Sequence, residues 1–373
     1  MRRTSKMSRS VVSLLASSLA LVAAASSEAS PPSTPAARIA QKQRYLLFDT
    51  IFHEQVNKQR RAFMFYLHLA MQLKRTLVLP RTRLLRRIPK STQFDPTAEY
   101  VPWGDLFNVS ALSLVHPILE LEQFVALHGG VGLHVRISHQ GCESREGVVS
   151  VPFNGLPDGL GAAKSICHNR LQYEQEKLSR EYADEEAIAF SDSVDQLQMS
   201  QSLPLRPYVR YTAPVYDAAT AFAATAFNGE PFISIHWRRT DFLAVRRSHE
   251  WALQSAADVV AHARAAMRAS GVRHVYLATD SDDAKEVAAV TTALNAQSYP
   301  SWDSPNAPAP LLTKAMRANI EIATCALASR FLGTKTSSFT LAIMEERQAV
   351  YGHAATTGTE MGKPPPADGK DEL

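Results

Sequence analysis

The stretch 232-FISIHWRRTDF-242 decides the fold. Its first half, FISIH, is a short apolar run rich in β-branched residues, the kind that lies inside a sheet covered on both faces. Its second half turns at once to His236, Arg238, Arg239 and Asp241. In an open α/β sheet ligands bind just outside the carboxyl ends of the strands, so polar groups clustered there mark a site. Downstream the two periods alternate. ADVVAHARAAMRASG predicts a helix stopped by Gly271, HVYLATD a strand, and DDAKEVAAVTTAL a helix opened by acidic residues. LLTKAMRANIEIATCALAS predicts a long helix, RFLGT a strand, and SSFTLAIMEERQ a helix whose leading serines suit capping.

Upstream the same alternation occurs once more. RYLLFD (44–49) reads as a buried strand, TIFHEQVNK as a polar loop, RAFMFYLHLAMQLKR as a helix and TLVLP (76–80) as a second strand. Strand, helix, strand implies a parallel sheet. The middle, from about Leu84 to Leu205, is less regular and reads as insertions around that sheet, with an acidic helical patch near Glu174 to Glu186. Two alternating units imply two domains, 41–210 and 211–355, with a cleft between them. Four polar clusters follow predicted strands: Asp49, His53, Glu54 and Asn57; His236 and Arg238; Asp280; and Thr334, Ser337 and Ser338.

Each cluster has a plain reading beside a chemical one. Arg238 offers a planar, permanently charged fork suited to a diphosphate, or an ion pair with Asp241. Arg239 would point the other way along a strand and reads as structural. The segment from Gly333-Thr334 to Ser338-Phe339 places hydroxyls and backbone N–H groups at a helix start, an anion cradle or simple capping. Asp280-Ser281-Asp282 matches a short DxD pattern that many glycosyltransferases use for a metal, but Asp282 and Asp283 also open a helix, which is the preferred reading. Glu54, beside His53 and Asn57, is either a general base for a hydroxyl or a solvated loop acid. The histidines lack ligand spacing, so a zinc site is not expected. The chain has no GxxxxGK[ST] and no GxGxxG after a strand, which excludes a P-loop nucleotidase and a classical dinucleotide fold.

With 45% hydrophobic and 20% charged residues over 373 positions, the composition is globular. The formal charge of +4 is carried largely by the first 29 residues, where Arg2, Arg3, Lys6 and Arg9 face a single acid, Glu28. No nucleic-acid partner is expected from so neutral a remainder. The basic cluster from Lys74 to Lys90 reads as solvated surface. Residues 1–29, basic and then VVSLLASSLALVAAA, have the layout of a cleaved secretory signal. The apolar run falls short of the roughly 20 residues of a bilayer span, so no stable membrane span is expected, a type II anchor being the alternative. A linker, 30–40, follows. A flexible tail, 356–373, ends in KDEL, a retrieval address read by the KDEL receptor. Together the two ends point to the lumen of the endoplasmic reticulum, where disulfides form. Cys142 and Cys167 are the expected pair, Cys325 within IATCALA reads as buried, and Asn108-Val109-Ser110 is a glycosylation sequon.

FISIHWRRTDF, VYLATD and FLGTKTSSFTLAIMEER resemble the three C-terminal motifs of the GDP-fucose protein O-fucosyltransferases, and RYLLFDTIFHEQVNKQRR resembles their N-terminal one. VPWGDLFNVSAL and LEQFVALHGG look closer to the type that acts on thrombospondin repeats than to the type that acts on EGF repeats. The resemblance implies a GT-B-like α/β fold, two Rossmann-like domains facing across a cleft. It implies inverting transfer of fucose from GDP-fucose to a serine or threonine hydroxyl of a folded, disulfide-bonded repeat, without an essential metal. Carried over by motif, Arg238 binds the diphosphate and His236 holds the nucleotide. Ser338 and Phe339 line the nucleotide pocket, and Asn57 holds phosphate or fucose beside His53. Glu54 is then the catalytic base. Glu321 stands where the family has an aspartate associated with guanine. The alternatives on the same fold are an EGF-repeat or glycan fucosyltransferase and a non-catalytic lumenal folding factor or lectin.

Overall fold

The computed structural model describes residues 43–50, 56–84, 99–128, 135–138, 164–167, 183–193, 202–245, 252–300 and 314–362. In chain order the principal elements are β1 (Tyr45–Thr50), α1 (Val56–Leu73), β2 (Thr76–Leu79), β3 (Thr82–Leu84), β4 (Glu99–Val101), β5 (Ile118–Glu120), α2 (Leu121–His128), β6 (Val135–Ser138), β7 (Lys164–Cys167) and β8 (Ala187–Ser193). There follow α3 (Ala213–Phe227), β9 (Phe232–Trp237), α4 (Ala256–Ser270), β10 (His274–Thr279), α5 (Ala284–Leu294), α6 (Lys314–Leu327), β11 (Arg330–Thr334), α7 (Ser338–Ala349) and β12 (Gly358–Met361).

Two parallel sheets result. One has the strand order β5-β2-β1-β8-β6-β7 and the other β10-β9-β11-β12, and every pairing in both is parallel. β3 and β4 form a small antiparallel pair beside them. Parallel strands are covered on both faces, which is why TLVL and FISIHW are buried at every position. Side chains on β9 alternate between the faces. Ile233, Ile235 and Trp237 pack with Val259 and Ala263 of α4. Phe232 points the other way, into a core shared with Leu46 and Phe48 of β1 and with Phe63 and Leu67 of α1. The two sheets thus share one core among the described residues.

The helix ends follow local rules. Ser255 caps α4 in a reciprocal box with Asp258, and Gly271 closes it in the left-handed region at φ 73°. Asp283 caps α5, its carboxylate accepting from the backbone N–H groups of Lys285 and Glu286. Asn108 of the sequon is exposed and caps the turn of helix Val109–Ser113. No described helix is long and apolar enough to cross a membrane.

Several expectations change. The predicted loop TIFHEQVNK gives way to helix at Val56, so Asn57 stands in the first turn of α1. The apolar face of α1 begins with Val56 itself, buried against the core. β8, in the stretch read as irregular insertion, is an interior strand paired with both β1 and β6. Residues 183 and 184, within the patch read as helix, form a turn leading into it. Cys167 lies in strand β7 rather than a loop; its expected partner Cys142 lies outside the described residues. Cys325 is free and buried, as the sequence suggested. Arg75, assigned to a solvated cluster, is 3% exposed. Its guanidinium donates to the carbonyls of Tyr45, Glu185 and Glu186, and burial lowers its pKa to about 10. The segment read as tail contributes β12, paired with β11.

Candidate active site

In the second sheet β9 is flanked by β10 on one side and β11 on the other. The chain leaves β9 for its left neighbour and later returns to its right, so the strand order reverses between β9 and β11. Doubly wound sheets take ligands at the strands' carboxyl ends beside such a reversal. His236 and Arg238 stand at the end of β9 and Thr334 at the end of β11.

Thr334 joins the two strands. Its hydroxyl donates to the His236 carbonyl at 3.0 Å and accepts from the Arg238 backbone N–H at 2.9 Å. The Cβ branch that favours strands also holds this hydroxyl in one orientation. Gly333 beside it is required by close approach: a Cβ there would strike the Thr340 methyl and come within 2.8 Å of the Phe331 ring. His236 is 4% exposed, its Nδ1 2.9 Å from the Thr340 hydroxyl, and its ring stacks on Phe339 with centroids 4.6 Å apart. Burial, reinforced by the neighbouring Arg238 charge, lowers its pKa to about 3. The imidazole is therefore neutral at physiological pH, a polar aromatic surface rather than a cation.

Arg238 and Arg239 diverge, as alternation requires. Arg239 forms a two-pronged pair with Glu286 of α5, at 2.8 and 2.5 Å, with its guanidinium over the Trp237 ring. It is structural, as expected. The Arg238 side chain, only 17% exposed, pairs with Asp280 at 3.3 Å. The other Asp280 oxygen accepts from the Arg239 backbone N–H at 2.7 Å. Both carboxylate oxygens of the DxD segment's first aspartate thus face arginine. Among the described residues no group of His, Cys, Asp and Glu has the arrangement of a metal site.

The loop after β11 carries a feature without a sequence signal. Thr336 adopts a left-handed φ of 63°, a costly conformation for a β-branched residue and one that clusters at ligand-binding turns. It delivers Ser337 to the N-cap of α7, where its side chain makes no capping hydrogen bond, contrary to the reading of these serines as caps. Ser338 and Phe339 open the helix, both partly buried. Glu321 lies on α6, 3.1 Å from Arg317 on the same helix face. Burial raises its carboxyl pKa against the pull of Arg317, and Asp280 adds to the rise. Asn57 in the first turn of α1 is 8% exposed, and its Oδ1 has no hydrogen-bond partner among the described residues. His53 and Glu54 lie outside the described residues.

The sequence did not reveal what joins α1 to α7. Arg60 and Glu345, both fully buried, pair at 2.8 Å. Beside them the buried Arg206 pairs with Glu346, which also accepts from the Tyr216 hydroxyl at 2.8 Å.

These features define a doubly wound α/β protein that gathers an arginine, a neutral histidine and an aromatic ring at the strand ends beside a reversal of strand order. The family model for GDP-fucose protein O-fucosyltransferase matches residues 45–350. The chain belongs to that family. The GDP-fucose protein O-fucosyltransferase 2 of Caenorhabditis elegans is 31% identical over 131 residues, 35% of this chain and 29% of that relative, so the chain spans less than a third of the relative's length in this match. A crystal structure of POFUT1 in complex with GDP-fucose superposes with a TM-score of 0.65 at 16% identity, covering 87% of this chain and 99% of that one. A POFUT1 complex with GDP gives 0.66 at 17% identity, covering 86% and 99%. The fold is α/β and GT-B-like.

Proposed function

We propose that this chain is an inverting peptide O-fucosyltransferase. It moves fucose from GDP-fucose to a serine or threonine hydroxyl of a folded, disulfide-bonded repeat, thrombospondin type 1 first, in the lumen of the endoplasmic reticulum. The observation that carries the reading is the junction at the strand ends, where the Thr334 hydroxyl ties the backbone of His236 and Arg238 to β11. Family membership supplies the donor's identity, and the resemblance carried by VPWGDLFNVSAL and LEQFVALHGG favours the thrombospondin-repeat type.

In this reading Arg238 binds the diphosphate. As the fucose–phosphate bond breaks, its electron pair and the growing negative charge pass to GDP, and a fixed guanidinium stabilises that charge. Asp280 holds Arg238 in place until the diphosphate competes for it. Neutral His236, stacked on Phe339, offers the nucleotide a polar aromatic wall without a second charge. Ser338 contacts phosphate at the start of α7, where backbone N–H groups favour anions. Glu321, on the α6 flank, faces guanine. On the opposite side of the sugar the acceptor oxygen attacks the anomeric carbon and its proton passes to Glu54, with Asn57 and His53 nearby. Attack opposite the leaving group inverts the carbon.

The test is to incubate the purified chain with GDP-fucose and, separately, folded thrombospondin repeats, folded EGF repeats and glycan acceptors, and to weigh each product. Addition of one deoxyhexose to the thrombospondin repeat alone is expected. Transfer to EGF repeats or glycans alone reassigns the acceptor, and GDP-fucose binding without any transfer makes the chain a non-catalytic member.

A further inference from the structure

Building on that reading, we propose that the buried Arg60–Glu345 pair is a positioning link, holding the acceptor side of the active centre in register with the nucleotide side. Asn57 and Arg60 are three residues apart on α1 and share a face; Ser338 and Glu345 are seven apart, two turns, and share a face of α7. The Arg60 Nη2–Glu345 Oε2 contact, 2.8 Å, ties these faces together one turn below Asn57 and two turns below Ser338. The contact thus fixes one point of the height and rotation of α1 relative to α7, beside the apolar packing the two helices share.

The pair is itself braced. The second Glu345 oxygen accepts from the Ser202 hydroxyl at 2.7 Å, and Arg60 Nη1 donates to the Tyr211 hydroxyl at 3.2 Å. Arg206, joined to Glu346, lies over the Tyr211 ring at 5.2 Å. Both members of the Arg60–Glu345 pair are wholly excluded from water. Burying two charges is costly, and apolar residues of similar size would hold two helices together at least as well. Apolar contact tolerates sliding and rotation; a charged hydrogen bond with braced partners does not. The arrangement thus trades adhesion for register, which a centre divided between two helices needs, since displacement of about 1 Å costs up to about 100-fold in rate.

The experiment uses the full chain carrying Arg60→Met and Glu345→Leu together, which replaces the link by apolar bulk without stranding a charge. GDP affinity is read by calorimetry, and kcat is expressed per GDP-binding site so that misfolded protein does not count. The expected result is a melting temperature lowered by no more than the loss of the Ser202 and Tyr211 hydrogen bonds accounts for, GDP affinity within about threefold, since the groups that would bind GDP stand mainly on the second sheet, and kcat reduced tenfold or more. Arg60→Lys, which keeps the charge but loses the fork, should lie between, and it serves alone if the double variant does not fold. Spin labels at Lys58→Cys and Gln348→Cys report the α1–α7 distance without reference to activity: one narrow distribution with the link, a broader or displaced one without it. Wild-type kcat per site in the double variant, or in Arg60→Lys should that variant stand alone, overturns the proposal. So does an unchanged distance distribution. If the unmodified chain transfers no fucose, the functional reading has failed instead, and the label distances still decide whether the pair sets register.

Discussion

Replacing Thr334 by valine keeps the side chain's shape and removes one oxygen. In the structure that oxygen, fully buried, donates to the His236 carbonyl and accepts from the Arg238 N–H. Each such hydrogen bond contributes about 1 kcal/mol net, and a buried partner left unpaired costs about 1–3 kcal/mol. Because the Arg238 N–H is only partly buried, the lower part of that range applies to it, and the total comes to about 2–4 kcal/mol of stability. Thr334→Ser is the control, since it keeps the oxygen and loses one methyl, about 1 kcal/mol. The functional effect should exceed the difference in stability. Freed from β11, the Arg238 backbone relaxes and its guanidinium leaves the place where charge develops, so kcat should fall by at least tenfold in the valine variant and by less than threefold in the serine variant. Urea unfolding measures the first quantity and initial rates with GDP-fucose the second. If the two variants unfold within about 0.5 kcal/mol of each other and turn over equally, the hydroxyl does not align Arg238 and the reasoning is wrong.

Arg238→Ala should reduce transfer by about 100- to 1000-fold, the usual cost of a donor aimed at developing charge, whereas Glu54→Ala should keep GDP-fucose binding in calorimetry and lose most turnover. A Glu54→Ala protein near wild-type speed would remove that residue from the chemistry. His236 stays neutral down to about pH 3 while an unfolded histidine protonates near 6.5, so its contribution is complete above pH 6.5 and declines as pH falls towards 3. Between pH 6.5 and 5 the loss is about 2 kcal/mol, and His236→Gln should flatten the stability profile by that amount in paired urea titrations. Gly333→Ala places a methyl against Phe331 and Thr340 and should cost about 1–3 kcal/mol; a neutral result would mean that β11 can retreat.

The charged network between α1 and α7 gives a second meaning to the segment MEER. Glu345 and Glu346 bind Arg60 and Arg206, while Arg347 donates to the carbonyls of Cys325, Ala326 and Ala328 at the end of α6. A helix start directed at the ligand site and a helix body that braces the core therefore share one short stretch. Glu345→Ala alone would strand the Arg60 charge and should destabilise by about 3–5 kcal/mol. The paired apolar replacement strands no charge and should cost less.

The strands FISIHW, HVYLAT and RFLGT were legible because two-residue alternation and β-branched runs are local properties, and the helices after them because apolar spacing and end signals such as Gly271 and Asp283 are local too. From these followed the site's position, since carboxyl ends of neighbouring parallel strands must meet at one edge. β8 was missed for the opposite reason. AIAFSDS is short and preceded by acids, and nothing near it reveals that β1 needs a neighbour there; its partners in β1 lie some 140 positions earlier. Thr336 escaped because its left-handed turn is imposed by β11 and α7 rather than by its own residue type.

The sequence by itself determined the kind of each strong element, the parallel α/β class and the polar character of the strand ends, because those depend on periods of two and 3.6 residues. Only the tertiary structure decided which charges are solvated and which are buried. Arg75 among backbone carbonyls, Arg60 against Glu345 across 285 positions and Arg206 against Glu346 across 140 look like surface arginines in the chain. A charge's surroundings are set by whichever distant segment the topology brings to it, and no local pattern carries that information.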